Sequence, residues 1–140
     1  MKYYAVIDTN VLVSAALKWD SVPGSIIDLA FNDVIIPLLN QKIIDEYQEV
    51  LLRPKFHLTK KIVGDIIDEI KSHGIFVNEK HIQIEMPDPK DRVFYEVTME
   101  ERKSEDAYLI TGNIKHFPKK PYIITPREML NIIIAEINDK

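Results

Sequence analysis

Short, β-prone apolar runs alternate along this chain with longer amphipathic segments, and that alternation restricts the fold more tightly than any single residue does. Tyr3 to Ile7 reads as a central strand buried on both faces and ending at Asp8. A helix is expected from about Pro23 to Phe31, a strand from Val34 to Leu38, and a helix from Lys42 to Leu52 that Pro54 stops. A further helix runs from Leu58 to Ser72, closed by Gly74, with Ile75 to Val77 a short strand beyond it. Asp88-Pro89 opens a helix to about Glu101, since Asp caps well and Pro suits the first helical position. Tyr108 to Ile110 and Tyr122 to Ile124 read as strands, and Thr125-Pro126 caps a last helix to about Ile137. The order is β-α-β-α-α-β-α-β-β-α. Right-handed crossovers then place helices on both faces of a mostly parallel sheet, an α/β three-layer α/β/α sandwich of the Rossmann-like kind. Such sheets bind ligands outside the carboxyl ends of their strands, where the strand order reverses. Polar residues directly after strands are therefore the first candidates for function.

With 140 residues, 46% of them hydrophobic, the chain can bury one sizeable core, and a single domain over residues 1–140 is expected. No run approaches the roughly 18 consecutive apolar residues of a membrane helix, and Met1-Lys2-Tyr3-Tyr4 lacks signal-peptide architecture, so a soluble cytoplasmic protein with no membrane association is expected. The absence of cysteine excludes disulfides, thiolate zinc sites and cysteine nucleophiles, which leaves oxygen or imidazole to hold any metal. A net charge of −4 argues against holding nucleic acid by bulk electrostatics. It does not exclude a nuclease, because carboxylates gathered around a divalent cation are partly neutralised by it. The basic clusters Arg53-Pro54-Lys55-Phe56-His57, Lys60-Lys61, and Lys115-His116 with Lys119-Lys120 are either solvated faces or phosphate contacts.

Asp8-Thr9-Asn10 puts a carboxylate, a hydroxyl and an amide at the end of the first strand, ahead of the apolar stretch Val11-Leu12-Val13. This is where a metal ligand would sit, and equally where Asp8 or Asn10 would cap a helix. On the helix after the second strand, Ile43, Ile44, Tyr47, Val50 and Leu51 form one stripe. Asp45 points away from it and Glu49 to one side, whereas Glu46 falls about 40° beyond Val50, at the edge of the buried face. Asp88 and Asp91 flank Pro89-Lys90 at a helix start, where Asp88 suits the cap and Asp91 the site. Thr111-Gly112-Asn113 follows the fourth strand and is either part of the site or an ordinary turn. His116, flanked by Lys115, can contact phosphate, while His57, His73 and His81 show no ligand spacing. Asp106 precedes its strand and belongs to the opposite end of the sheet.

These segments together resemble the PIN domain, and specifically its branch of toxin components of type II toxin–antitoxin pairs. The likeness runs through Val6 to Ser14, Glu46 with Val50-Leu51, Arg53-Pro54-Lys55-Phe56, Asp88-Pro89-Lys90-Asp91, Tyr108 to Asn113 and Thr125-Pro126-Arg127-Glu128. It implies a hydrolase, a metal-dependent endoribonuclease, with Mg²⁺ or Mn²⁺ held by Asp8, Glu46 and Asp91 and with Asn113 completing the set. Many PIN domains have aspartate where this chain has Asn113. The amide oxygen still suits a hard cation but adds no charge, so one tightly held metal is expected rather than two.

In this reading Asp8 and Asp91 ligate directly and Glu46 ligates or orients water, while Thr9, Asn10, Asp88, Thr111 and His116 support the shell or touch phosphate. Single-stranded RNA is the expected substrate, an antitoxin protein the expected partner, and self-association is expected by analogy. Two other readings compete. A phosphatase of the haloacid-dehalogenase type needs a second Asp two residues after Asp8, where this chain has Asn10. A degenerate PIN scaffold would bind RNA or protein without cutting. Converging carboxylates repel, so at least one should have a raised pKa.

Overall fold

The computed structural model describes residues 2–82 and 84–139. Strands β1 (Tyr3–Ile7), β2 (Ile35–Leu39), β3 (Ile75–Phe76), β4 (Tyr108–Ile110) and β5 (Ile123–Ile124) form one sheet. Its order is β3-β2-β1-β4-β5, and every adjacent pair is parallel. The sheet is thus wholly rather than mostly parallel, and helices on its faces complete the expected three layers. Such burial explains why β2 reads Ile-Ile-Pro-Leu-Leu with every residue inside. Pro37 is tolerated there because β3 begins opposite Leu38, so at Pro37 β2 has a strand neighbour only in β1.

Among the described residues six helices surround the sheet: α1 (Thr9–Leu17), α2 (Val22–Phe31), α3 (Gln41–Leu51), α4 (Lys60–His73), α5 (Arg92–Glu101) and α6 (Pro126–Asn138). Helix α1 corrects the expected order, in which Val11 to Val13 were only an apolar stretch. Thr9-Asn10-Val11-Leu12-Val13 is rich in residues of modest helix propensity, but Val11, Leu12 and Ala15 are buried and tertiary packing decides. Helices α2, α3, α4 and α6 lie within two residues of expectation, where their caps put them. Ser21, Asn40 and Thr59 each accept a backbone N–H near the start of α2, α3 and α4, and Thr125 with Glu128 forms a capping box on α6. Asp88-Pro89 opens a tight 3₁₀ turn, Pro89–Asp91, and α5 follows only from Arg92. Helix α5 packs on β1, β2 and β4, while α2 packs on β2 and against α1 and α6. Among the described residues no helix is long and apolar enough to cross a membrane.

Two features of this frame place the chemistry. Strand order reverses at β1, which has β2 on one side and β4 on the other, so the carboxyl ends of β1 and β4 border the crevice. The segment between β3 and α5 is fastened by α5 itself. Glu96, buried, accepts a hydrogen bond from the Ile82 amide at 2.7 Å, and Arg92 donates to the Ile82 carbonyl.

The glycines of two helices give opposite expectations. A Cβ at Gly24 would stand 1.9 Å from the Trp19 carbonyl oxygen, whereas one at Gly64 would meet nothing within 4 Å. Gly24→Ala should therefore cost about 2 kcal/mol or more and lower the melting temperature by about 5 to 10 °C, while Gly64→Ala should raise it by about 2 to 3 °C. Thermal melts of the two variants check both signs.

Candidate functional site

Asp8 ends β1, caps α1 and is only 6% exposed. A carboxylate so buried needs donors, and it has two. Its Oδ1 accepts from the Thr9 amide at 2.8 Å, and its Oδ2 accepts from the Thr111 hydroxyl at 2.7 Å. Thr111 is itself fully buried at the end of β4, and its Oγ1 accepts from the Asn113 amide at 2.9 Å. The Thr9 hydroxyl donates in turn to Glu46 Oε2 on α3. Glu46 is half-buried beside buried Tyr47, whose hydroxyl donates to the Ile7 carbonyl. Helix α3 is thus joined to the end of β1 from its core face and from its edge, as the helical wheel implied.

The fourth element arrives from the α5 side. Asp88 Oδ1 accepts from the Lys90 amide at 3.0 Å, which is the capping role expected of it. Asp91 makes no capping bond, and its Oδ2 is a buried oxygen without a hydrogen-bond partner. His116 Nδ1 lies 3.4 Å away, within ion-pair range but not aligned as a hydrogen bond. Asp8, Glu46, Asp88 and Asp91 share one cleft of about 510 Å³ with Thr9, Asn10, Asn113 and His116. Of the residues singled out from sequence, Thr111 alone does not line the cleft; it lies beneath Asp8 and orients it. Asn10 also holds the turn after β4, its Oδ1 accepting from the Gly112 amide at 3.2 Å. Another groove, against Lys80, Ile82 and Arg102, contains buried Glu96, but that acid is already committed to Ile82.

Charge in the cleft is expensive. Burial raises the pKa of Asp8 against the opposing hydrogen bonds from Thr111 and Thr9, and burial raises Glu46 against the bond from Thr9. Asp91 is pushed up to about 6, by burial first and then by Asp8 and Asp88, with His116 opposing. The expected repulsion therefore acts on Glu46 and Asp91, where removal from water is the larger cause, while Asp8 is raised by burial alone.

Among the described residues no group of three or more His, Cys, Asp or Glu side chains is assembled to hold a metal ion. The donor set nevertheless suits one. Its members are hard oxygens, and Asp91 Oδ2, which lacks a hydrogen-bond partner, is an atom whose burial a cation would compensate.

The cleft also contains residues that sequence reasoning missed. Val13 and Ser14 line it because α1 is a helix and turns them to the side of Asn10. Arg53 and Phe56 reach it from the 3₁₀ turn Pro54–Phe56, and Lys90 from the turn before α5. From sequence the Arg53 cluster reads either as a solvated face or as a phosphate contact, with Pro54 stopping the helix before it. His57, His73 and His81 stay outside, with His73 beside Asp33 and Glu69 and His81 beside Glu96.

The PIN domain family model matches residues 4–115. An uncharacterized protein of Methanocaldococcus jannaschii is 29% identical over 119 residues, covering 81% of this chain and 72% of that protein. No solved structure matches the chain.

The raised pKa of Asp91 has a thermodynamic sign. An acid with a higher pKa folded than unfolded favours folding while protonated, so its contribution is present near pH 4 and is lost as pH rises through about 6. In EDTA, Asp91→Asn should match the parent near pH 4 and melt about 2 to 4 °C higher at pH 7, partial exposure keeping the effect small. Melting curves between those pH values check it; an equal shift at both would assign the change to packing instead.

Proposed function

Because the chain belongs to the PIN-domain family, whose members are generally nucleases and usually use divalent metal ions, we propose that it is a metal-dependent endoribonuclease acting on single-stranded RNA in this cleft. The observation that carries the reading is the buried Asp91 Oδ2, without a hydrogen-bond partner, in a cleft shared with Asp8 and Glu46. Asp8 and Asp91 would hold Mg²⁺ or Mn²⁺, with the amide oxygen of Asn113 as a neutral addition. Bound there, the cation supplies an acidified water and offsets charge on the phosphoryl oxygens. Thr9 and Thr111 hold Asp8 in position. Thr9 also engages Glu46 Oε2, leaving Oε1 to orient the attacking water and take its proton, a task suited to an acid whose pKa burial has raised.

The rest of the wall suits a nucleotide. Arg53 and Lys90 bring positive charge to phosphate, His116 offers a ring nitrogen for a hydrogen bond, and Phe56 with Val13 and Val50 offers an apolar face to a base. Asn113 favours one alternative, a scaffold that binds RNA or protein without cutting, because it removes a charge from the acidic set. Calorimetric titration with Mn²⁺ separates the two, since the scaffold has no stoichiometric site.

The resemblance of the chain's motifs to the toxin branch supports a further part of the proposal: a cytoplasmic toxin with an antitoxin partner, acting as a homo-oligomer. Such a partner would present Arg or Lys to Asp8, Glu46 and Asp91 as an electrostatic substitute for the metal. A small upstream gene for a DNA-binding protein with a flexible tail would support this, and an inhibitor that leaves the carboxylates open would contradict it.

Cleavage of single-stranded RNA in Mn²⁺ should disappear in EDTA. Asp8→Asn should reduce it by at least about 100-fold, more than a supporting residue usually costs. The same variant should lose most of the rise in melting temperature that Mn²⁺ gives the parent, because that gain follows metal affinity. A variant that keeps the full rise would remove Asp8 from the site.

A further inference from the structure

The cleft is continued by a second hollow. Asn10, Ser14 and Asn113 line both the cleft and an adjoining depression of about 200 Å³ that extends to Pro126 at the start of α6. On the same flank, between the 3₁₀ turn Ile114–His116 and α6, lies a groove of about 390 Å³. Its floor is apolar, with buried Phe117 and Ile123 and the more exposed Ile114. Its rim carries Lys115, Lys119 and Lys120, all exposed. Among the described residues none of these ammonium groups has an ion-pair partner. The groove's one acid, Glu128, is committed to the capping box, its Oε1 accepting from the Thr125 amide at 3.0 Å. In a chain of net charge −4, three uncompensated cations around an apolar floor are a local reversal of sign.

We infer that this groove is a second RNA subsite, holding a nucleotide of the substrate strand beyond the bond that the cleft engages. The base lies on the Ile114, Phe117 and Ile123 floor, and the flanking phosphates face the lysines. The inference rests on the ribonuclease reading of the cleft. Single-stranded RNA is the occupant that fits, because it presents a negative charge at each step and an apolar face between steps, the alternation found along this flank. His116 in the cleft and Lys115 on the groove are consecutive residues of one turn, so a strand leaving the cleft along that turn reaches the lysines directly. Recognition here depends on strand length rather than base identity, since the apolar floor offers no hydrogen-bonding side chain.

Fluorescence anisotropy with a labelled single-stranded RNA of about 12 nucleotides, in EDTA and over a range of salt, tests the subsite. The parent is compared with K119A/K120A and with K2A/K71A, which removes equal charge before β1 and at the end of α4, at the opposite end of the sheet. K119A/K120A should weaken binding about tenfold at low salt and lower the slope of log affinity against log salt by about 1.4, the loss of two phosphate contacts. K2A/K71A should bind as the parent does. Equal losses in both variants, or none in either, overturn the subsite. So does lysine-dependent binding of a poly-glutamate peptide with no lysine dependence for RNA, which would make the groove a protein site. Cleavage by the parent in Mn²⁺ is assayed alongside. A parent that cuts RNA while both variants bind alike removes the subsite alone, whereas a parent that neither binds nor cuts removes the ribonuclease reading together with it.

Discussion

A carboxylate kept out of water at the end of a buried strand is a liability that the surrounding structure must answer, and most of the crevice is arranged as that answer. Asp8 takes one hydrogen bond from α1 and another from the end of β4, two elements far apart in sequence. Thr111 can donate to it because β4 lies beside β1, with Ile7 paired to Ile110. Thr9 faces both ways, its amide toward Asp8 and its hydroxyl toward Glu46. Removal of Asp8 or of the Thr111 hydroxyl would take a partner from a buried polar atom, so the site is held by mutual dependence.

The fold was legible because its periodicities are strong: short apolar strands, striped helices, and caps such as Asn40, Thr59 and Thr125 at the turns between them. Asp8 and the Thr111 to Asn113 turn were legible because position after a strand is itself information in a parallel sheet. Glu46 followed from helical geometry, and Asp91 from the division of labour with Asp88. Helix α1 was legible only as one of two readings of Asp8, that of a cap, since local propensity at Thr9 to Val13 is weak and burial of Leu12 and Ala15 settles the matter. Ser14 and Val13 were lost with it. The cause of the raised pKa values was misjudged for a related reason: repulsion is apparent from a list of acids, whereas desolvation depends on what covers them.

Net charge proved a poor guide to local field. The acidic total belongs to scattered surface residues such as Asp45, Glu49 and Asp65 as much as to the crevice. Around the crevice itself acids and bases interleave, with Asp8 at the end of β1, Glu46 on α3, Lys90 between Asp88 and Asp91 before α5, and Arg53 on the turn after α3.

The fastening of Ile82 by Arg92 and Glu96 bears on how such a chain can diverge. Both side chains belong to the helix that Asp91 immediately precedes, so the approach to Asp91 is referenced to α5 and not to the end of β3. Residues between Val77 and His81 can then lengthen or shorten without moving the carboxylate, provided that the two anchoring side chains and the backbone they grip are retained. The long connection before α5 is where insertions and deletions should accumulate among homologues, while the spacing from Ile82 to Asp91 stays constant.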